Sequence, residues 1–351
     1  MPVGALLAGP ERYRQELRGV LTGARAAFLP PDGRITETMP RDAQGFYDLF
    51  GHFLNSKTGG TVSTLAPFQV AVWNDIFERR FCCYPKSQKI GLTATFLMQN
   101  FFLAITRDRG REIFLVCQTE DKAVYQLGRL KKMLRDSPTF ASWLVERPPR
   151  DMLGHIIRDV NSTTERAVIW NPDAPTRPSV IWAVGINDVG PLVSNANVGH
   201  IHMSDISTAK ATDIKISESF AAARSRLVNT EGTMVVESPP SGNSGLMAKI
   251  TYAVIDELGL DGEPEGDGRR YLTERWLLRR FHYSLGIRHG LFTEETIEAE
   301  RSGPEGLTRG EFARFYEASM ETDDDSAFRR EDVRRETDEA TNVARAFMGA
   351  A

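Results

Sequence analysis

The sequence predicts an α/β fold, a mostly parallel sheet flanked by helices, with a helical N-terminal lead-in and a charged C-terminal extension. Two observations predict it. Short apolar runs of strand length, Glu112–Cys117, Val180–Val184, Gly199–Met203 and Thr233–Val236, alternate with helical stretches. Such continuous apolar strands are what a parallel sheet buried on both faces requires. Twice, moreover, a strand runs through a polar turn into a helix, once before Leu92 and once after Cys117.

In chain order, residues 1–60 are rich in Arg, Gly and Pro and form a helical N-terminal extension, with helical stretches at Glu11–Phe28 and Phe46–Leu54 and a loop at Lys57–Gly60. Residues 61–260 form the core. Pro67–Arg80 reads as a helix, leading to a short strand, a loop and a helix that opens near Leu92. Asp121–Leu134 is a long amphipathic helix behind the strand Glu112–Cys117. Leu260–Gly268, dense in Gly, Asp and Glu, reads as a linker or exposed loop. Residues 261–351 are a linker and lid-like segment, with a strand at Trp276–Tyr283 and then helical, highly charged text. The run Asp323–Asp325 reads as acidic surface.

Composition excludes several classes. The chain has 351 residues, 41% hydrophobic and 26% charged, with a formal net charge of -4. That is an ordinary globular balance, and it gives no overall field that would draw in a polyanion. Nucleic-acid contact would rest on local basic patches, and Arg79-Arg80, Lys131-Lys132 with Arg135, Arg269-Arg270 and Arg279-Arg280 each read as solvated surface when taken singly. Cys82, Cys83 and Cys117 are too few for a disulfide framework. His200 and His202 alternate along one strand and read as its side chains, not as a zinc pair. No apolar run is long enough to span a membrane, and the N-terminus lacks a signal-peptide core. The expectation is a protein of a reducing, cytoplasmic compartment.

The turn before Leu92 carries the chemistry. Phosphates need converging backbone N–H groups, a glycine that permits close approach, and a helix N-terminus behind them. They also need a lysine, and a hydroxyl for Mg²⁺. In Lys86-Ser87-Gln88-Lys89-Ile90-Gly91-Leu92-Thr93, Gly91 and Thr93 hold the second glycine and the hydroxyl positions of G-x-x-x-x-G-K-[ST]. Lys86 replaces the first glycine and Leu92 the lysine. The cation has moved rather than vanished, since Lys86 or Lys89 can reach across the loop. Upstream, Gln69 opens a helix that ends just before the loop, where its amide can read an adenine edge.

At these residues the chain resembles the large terminase subunits of tailed phages. K-S-Q-K-I-G-L-T (86–93) is similar to their variant phosphate loop. Q-T-E-D-K-A (118–123) and Y-Q-L-G-R-L-K-K-M-L-R-D-S-P (125–138) resemble their second strand–turn–helix segment. Val184–Asn187 through Leu192–Ser194 resembles the text ahead of their acidic strand, and His200–Ile206 that strand. Val235–Asn243 resembles their coupling segment, with Pro239-Pro240 in place of small residues.

The resemblance covers roughly residues 65–250 and implies a P-loop NTPase of the ASCE type that binds ATP and Mg²⁺ and powers viral DNA packaging. It puts Gln69, Lys86, Ser87, Gln88, Lys89, Ile90, Gly91, Leu92 and Thr93 on ATP. Mg²⁺ would sit on Thr93 and Ser204, with Asp205 activating the water; a shift of one residue makes Asp205 the metal ligand instead. Glu237 and Ser238 would couple hydrolysis to movement, and Arg129 is a candidate arginine finger supplied to a neighbouring subunit. Implied partners are double-stranded DNA, a portal protein, a small terminase subunit, further copies of the chain in a ring, and a nuclease domain or chain. The implied place is the host cytoplasm, docked on the procapsid portal. The chain ends too soon after Trp276 for a nuclease domain, so no DNA cleavage is expected of it. A helicase-like translocase, or an assembly protein that keeps the fold without hydrolysis, are the alternative readings.

Overall fold

The computed structural model describes residues 43–50, 53–54, 61–62, 64–108, 110–137, 140–146, 161–169, 178–188, 197–206, 213–242, 245–302 and 306–320. The expected helix at Glu11–Phe28, the loop Lys57–Gly60 and the acidic run Asp323–Asp325 lie outside them.

Helix α1 (Ala43–Phe50) is followed by strands β1 (Phe53–Leu54) and β2 (Thr61–Val62), which pair antiparallel. The single helix expected over Phe46–Leu54 is therefore cut short. Gly51 is a poor helix residue, and the Phe-Leu pair behind it favours extended structure.

Helix α2 (Pro67–Glu78) starts with Pro67 at its first position, where the missing N–H costs nothing. Strand β3 (Phe81–Pro85) follows, then the lysine-rich turn, then α3 (Leu92–Ile105). Every residue of α3 is buried except Thr93 and Ala94, at its N-terminal end. Strand β4 (Glu112–Cys117) leads into α4 (Glu120–Asp136), whose N-cap Thr119 accepts the Lys122 N–H and whose first turn carries Glu120 and Asp121. Strands β5 (Arg166–Ile169), β6 (Ser179–Gly185) and β7 (Val198–Ser204) come next, then α5 (Asp213–Thr230), β8 (Thr233–Ser238) and α6 (Leu246–Leu258).

Leu260–Gly268 is irregular and leads to β9 (Tyr271–Leu272) and β10 (Trp276–Leu278). The strand expected over Trp276–Tyr283 stops at Leu278. His282 caps a new helix, α7 (Tyr283–Arg288), by accepting the Ser284 N–H. Helices α8 (Glu294–Ser302) and α9 (Arg309–Phe312) follow, the last running into a π turn at Ala313–Glu317.

Eight strands form one sheet in the order β5-β6-β4-β7-β8-β3-β10-β9. The edge strands β5 and β9 pair antiparallel with their neighbours, and every pairing between them is parallel. The sheet thus takes two strands from beyond residue 260. Alternate residues face two cores. Tyr84, Leu115, Val235 and Leu277 pack with α2, α3 and α4, whereas Cys83, Val116, Met203, Val236 and Leu278 pack with α5 and α6. Because the inner strands are parallel, the C-terminal ends of β3, β4, β7 and β8 reach one edge, where the loops of such sheets gather their site.

Candidate active site

The turn between β3 and α3 has two kinds of backbone. Its first three N–H groups are committed to protein carbonyls: Lys86 to Ser238 at 3.1 Å, Ser87 to Phe281 at 2.7 Å and Gln88 to Phe315 at 2.7 Å. Beyond them the chain enters the left-handed region twice, at Lys89 (φ 63°) and Gly91 (φ 83°), before α3 begins. Left-handed residues interspersed this way turn successive N–H groups to one side and form an anion-binding concavity. The unbonded amides of the first turn of α3 add to it. Gly91 is also where the chain approaches α2, since a Cβ there would lie 2.6 Å from Gln69 Nε2.

Beside this concavity lies a charged cluster. Lys86 Nζ is 2.9 Å from Glu237 Oε2 and 3.3 Å from Asp205 Oδ1, and it donates to Thr93 Oγ1 at 3.2 Å. Glu237 Oε1 accepts from Thr93 Oγ1 at 3.1 Å, Ser204 Oγ at 2.5 Å and His202 Nε2 at 3.2 Å. The sequence folds this way because β7 and β8 run in parallel register, pairing Ser204 with Glu237, and period-two alternation puts His202 on the same face. Asp205 follows β7 directly, its N–H donating to the Glu237 carbonyl at 2.8 Å, and it holds a left-handed φ of 51°. That conformation is costly for a non-glycine residue and concentrates at functional sites.

The two carboxylates differ. Burial alone would raise Glu237, but the Lys86 ammonium and the bonds from His202 and Ser204 pull it down to about 2. Burial alone would lower Lys86, and Glu237 and then Asp205 outweigh it, holding the ammonium above the usual lysine value. Glu237 is fully enclosed, whereas the Asp205 side chain is 21% exposed and can be approached from solvent. With one ammonium between two carboxylates, the cluster carries one surplus negative charge beside two hydroxyls.

An Mg²⁺–triphosphate pair fits this chemistry on both sides. Hard oxygen donors (Asp205, Thr93, Ser204) stand ready for the cation, and the amide concavity suits the phosphates. No group of three His, Cys, Asp or Glu side chains that could cage a metal occurs among the described residues. Mg²⁺ does not require one, because it keeps waters and phosphate oxygens as ligands.

No protein-family model matches the sequence, and no curated protein matches it. Solved structures do. The large terminase ATPase domain of Thermus phage P74-26 superposes with a TM-score of 0.52 over 73% of this chain and 94% of that one, at 14% identity. The fold is that of a large terminase ATPase domain. The large terminase of a thermophilic bacteriophage in complex with ADP matches at 9% identity and a TM-score of 0.48, over 73% of this chain and 53% of its own. The HK97 bacteriophage large terminase matches at 11% identity and 0.43, over 61% and 41%.

Within the terminase-ATPase fold, Lys86, Thr93, Ser204, Asp205 and Glu237 come together. Of the two lysines left open by the sequence, Lys86 faces the cluster. Lys89 turns outward to Glu300 Oε1 at 2.9 Å and Tyr316 Oη at 3.2 Å. Ser87, Ile90 and Leu92 are buried, and Ser238 bonds its own strand end through the Pro239 carbonyl at 2.9 Å. Gln69 uses Oε1 on the Ala66 N–H at 2.8 Å and lies over Gly91. Arg129 is on α4, behind a strand three places from β3, and donates to Gln126 at 2.8 Å. His202 and Asn100, whose side chains are 3.0 Å apart, are neighbours of the site that sequence reasoning missed. For His202 the signal was polarity at alternate positions of a strand with no exposed face, and for Asn100 an amide in a largely apolar helix, because a buried polar group needs a partner.

Proposed function

We propose that this chain binds ATP with Mg²⁺ at the turn 86–93 and hydrolyses it, as the motor that drives double-stranded DNA through a portal into a procapsid. One observation carries the reading: Lys86, Thr93, Asp205 and Glu237 converge beside a left-handed amide turn at the carboxyl edge of a parallel sheet. The shared fold with a phage large terminase ATPase domain supports the packaging role. A small terminase subunit, a portal and further copies of the chain in a ring are the partners this role requires.

The chain's own residues divide the work. The amides of residues 89–93 bind the phosphates, and Lys86 moves from the two carboxylates to the transferred phosphoryl group, where its charge counts most. Thr93 and Ser204 offer oxygens to the cation, and Asp205, the carboxylate open to solvent, orients the attacking water. Mg²⁺, when bound, neutralises charge on the phosphate oxygens. Glu237 and Ser238 end β8 between the phosphate-loop strand and the acidic strand. That place lets Glu237 respond when Lys86 leaves it, which is the coupling role. Arg129 would act on a neighbouring subunit, and Gln69 would read the base above Gly91.

Lys86→Ala would leave two carboxylates facing each other around a buried site and cost about 3–5 kcal/mol, so lost activity there would confound fold with chemistry. Asp205→Ala avoids this. Phosphate release with double-stranded DNA present should fall about a hundredfold or more in Asp205→Ala, with ATP still bound. Undiminished release in that variant would remove Asp205 from the reaction. Absence of both ATP binding and release in the wild type would end the ATPase reading.

A further inference from the structure

The buried polar ring around Glu237 is larger than the phosphate site needs. Thr93 and Asn100 stand two helical turns apart on one face of α3. Thr93 Oγ1 donates to Glu237 Oε1 at 3.1 Å, His202 Nε2 lies 3.2 Å from the same oxygen, and Asn100 Nδ2 lies 3.0 Å from His202 Nδ1. The ring thus runs from α3 to β8, across to β7 and back to α3. His202, Asn100 and Glu237 are all fully buried, and the Phe96 ring packs against His202 at 5.4 Å. Polar groups this deep are costly when bonds are left unmade, and here Asn100 Oδ1 has no hydrogen-bond partner among the described residues.

The bonding fixes a direction. The Glu237 carboxylate can only accept, so the imidazole proton sits on Nε2, aimed at it, and Nδ1 is left to accept from the Asn100 amide 3.0 Å away. A histidine's tautomer is set by the bond its other nitrogen makes. Glu237 in turn accepts a hydrogen bond from the Thr93 hydroxyl, so that oxygen's lone pairs face away from the carboxylate, where Lys86 Nζ donates to it at 3.2 Å.

We propose that His202 is a positioning residue of the hydrolytic site, holding Glu237 in the orientation that sets Thr93, with Asn100 holding its other ring nitrogen. This rests on the ATPase reading for its function, though not for its geometry. Two substitutions separate a specific role from simple packing. Glutamine places an N–H donor near the position of Nε2 and keeps the bond to Glu237. Asparagine keeps an acceptor near Nδ1 for Asn100 and loses the donor to Glu237. A merely structural histidine would be missed equally in both.

The test measures kcat and KM for ATP, and the acid-unfolding midpoint without nucleotide, for the full chain carrying His202→Gln or His202→Asn. His202→Gln should stay within about threefold of wild-type kcat. His202→Asn should lose about ten- to hundredfold, with KM for ATP little changed. Its acid midpoint should move to higher pH, because Glu237 without that donor protonates sooner. Equal kcat and equal acid midpoints in the two variants overturn the proposal. A split in acid midpoint with no hydrolysis by any of the proteins overturns the ATPase reading and leaves His202 as the residue that orients Glu237. If His202→Asn does not fold, Asn100→Leu replaces it. That variant leaves the histidine in place but takes away the bond that holds its Nδ1 side, so kcat should fall at least about threefold; an unchanged kcat there overturns the proposal.

Discussion

Glu237 is the residue on which the site's electrostatics turn, and its behaviour in acid follows from its partners. Its carboxyl is held at about 2 in the fold, against the ordinary 4.5, with Lys86, His202 and Ser204 opposing burial. A depressed carboxylate stabilises the fold above its unfolded value, and that contribution is lost as pH falls from about 4.5 toward 2. The amount is on the order of 3 kcal/mol. Glu237→Gln removes the titration, so its melting temperature should fall less steeply over that window than that of the wild type. Parallel acid limbs for the two proteins would mean that the fold does not hold this carboxyl below its ordinary value. The sequence exposes this residue only partly. Glu237 stands out as an acid at the end of an apolar strand, but its contact with Ser204 depends on the β7–β8 register, which no local pattern encodes. Lys86 and Lys89 are alike as residues. Only the left-handed turn at Lys89, which sends its side chain to Glu300 and Tyr316, distinguishes them.

Among the elements, the turn that joins β3 to α3 is the one whose backbone matters most. Gly91 adopts a φ of 83°, and a Cβ there would meet Gln69 Nε2 at 2.6 Å. Gly91→Ala therefore carries a left-handed penalty of about 1–2 kcal/mol and must displace the Gln69 amide as well. Adding Gln69→Ser restores the space but not the backbone freedom, so the double variant should recover only part of the loss. Urea unfolding of the three proteins checks this, and an unperturbed Gly91→Ala midpoint would show that the turn is not held left-handed. The helices and inner strands here were legible because their apolar runs are long. Glu112–Cys117 is a strand with the bounds its pattern gives, and α3 begins at the Leu92 that follows the last glycine. The two-residue strands β1 and β2 were not, since two residues establish no period.

At the scale of the whole molecule, the sheet closes only with residues far along the chain. The pattern places the end of the core at residue 260 because β10 is three residues long and its partner β3 lies early in the sequence. Apolar periodicity is a local signal and does not report a pairing so remote. Physically, β10 covers the edge of β3 with Trp276 opposite Phe81, Leu277 opposite Cys82 and Leu278 opposite Cys83. Arg279 then clamps the buried Asp75 through Nε at 2.7 Å and Nη2 at 2.8 Å, while Tyr84 Oη donates to the same carboxylate at 3.1 Å. Phe281 accepts the Ser87 N–H and donates to the Pro85 carbonyl, so the phosphate turn itself leans on this segment. A chain ending at residue 260 would bare the β3 edge, leave Asp75 without its cation and release Ser87. Removing one partner of a buried pair alone costs about 3–5 kcal/mol, a large part of a domain's whole stability. The truncated chain should therefore show no cooperative thermal transition by far-ultraviolet circular dichroism and should bind no ATP. A cooperative melt matching that of the full chain would mean that β3 holds its place, and the phosphate turn its shape, without the strand beside it.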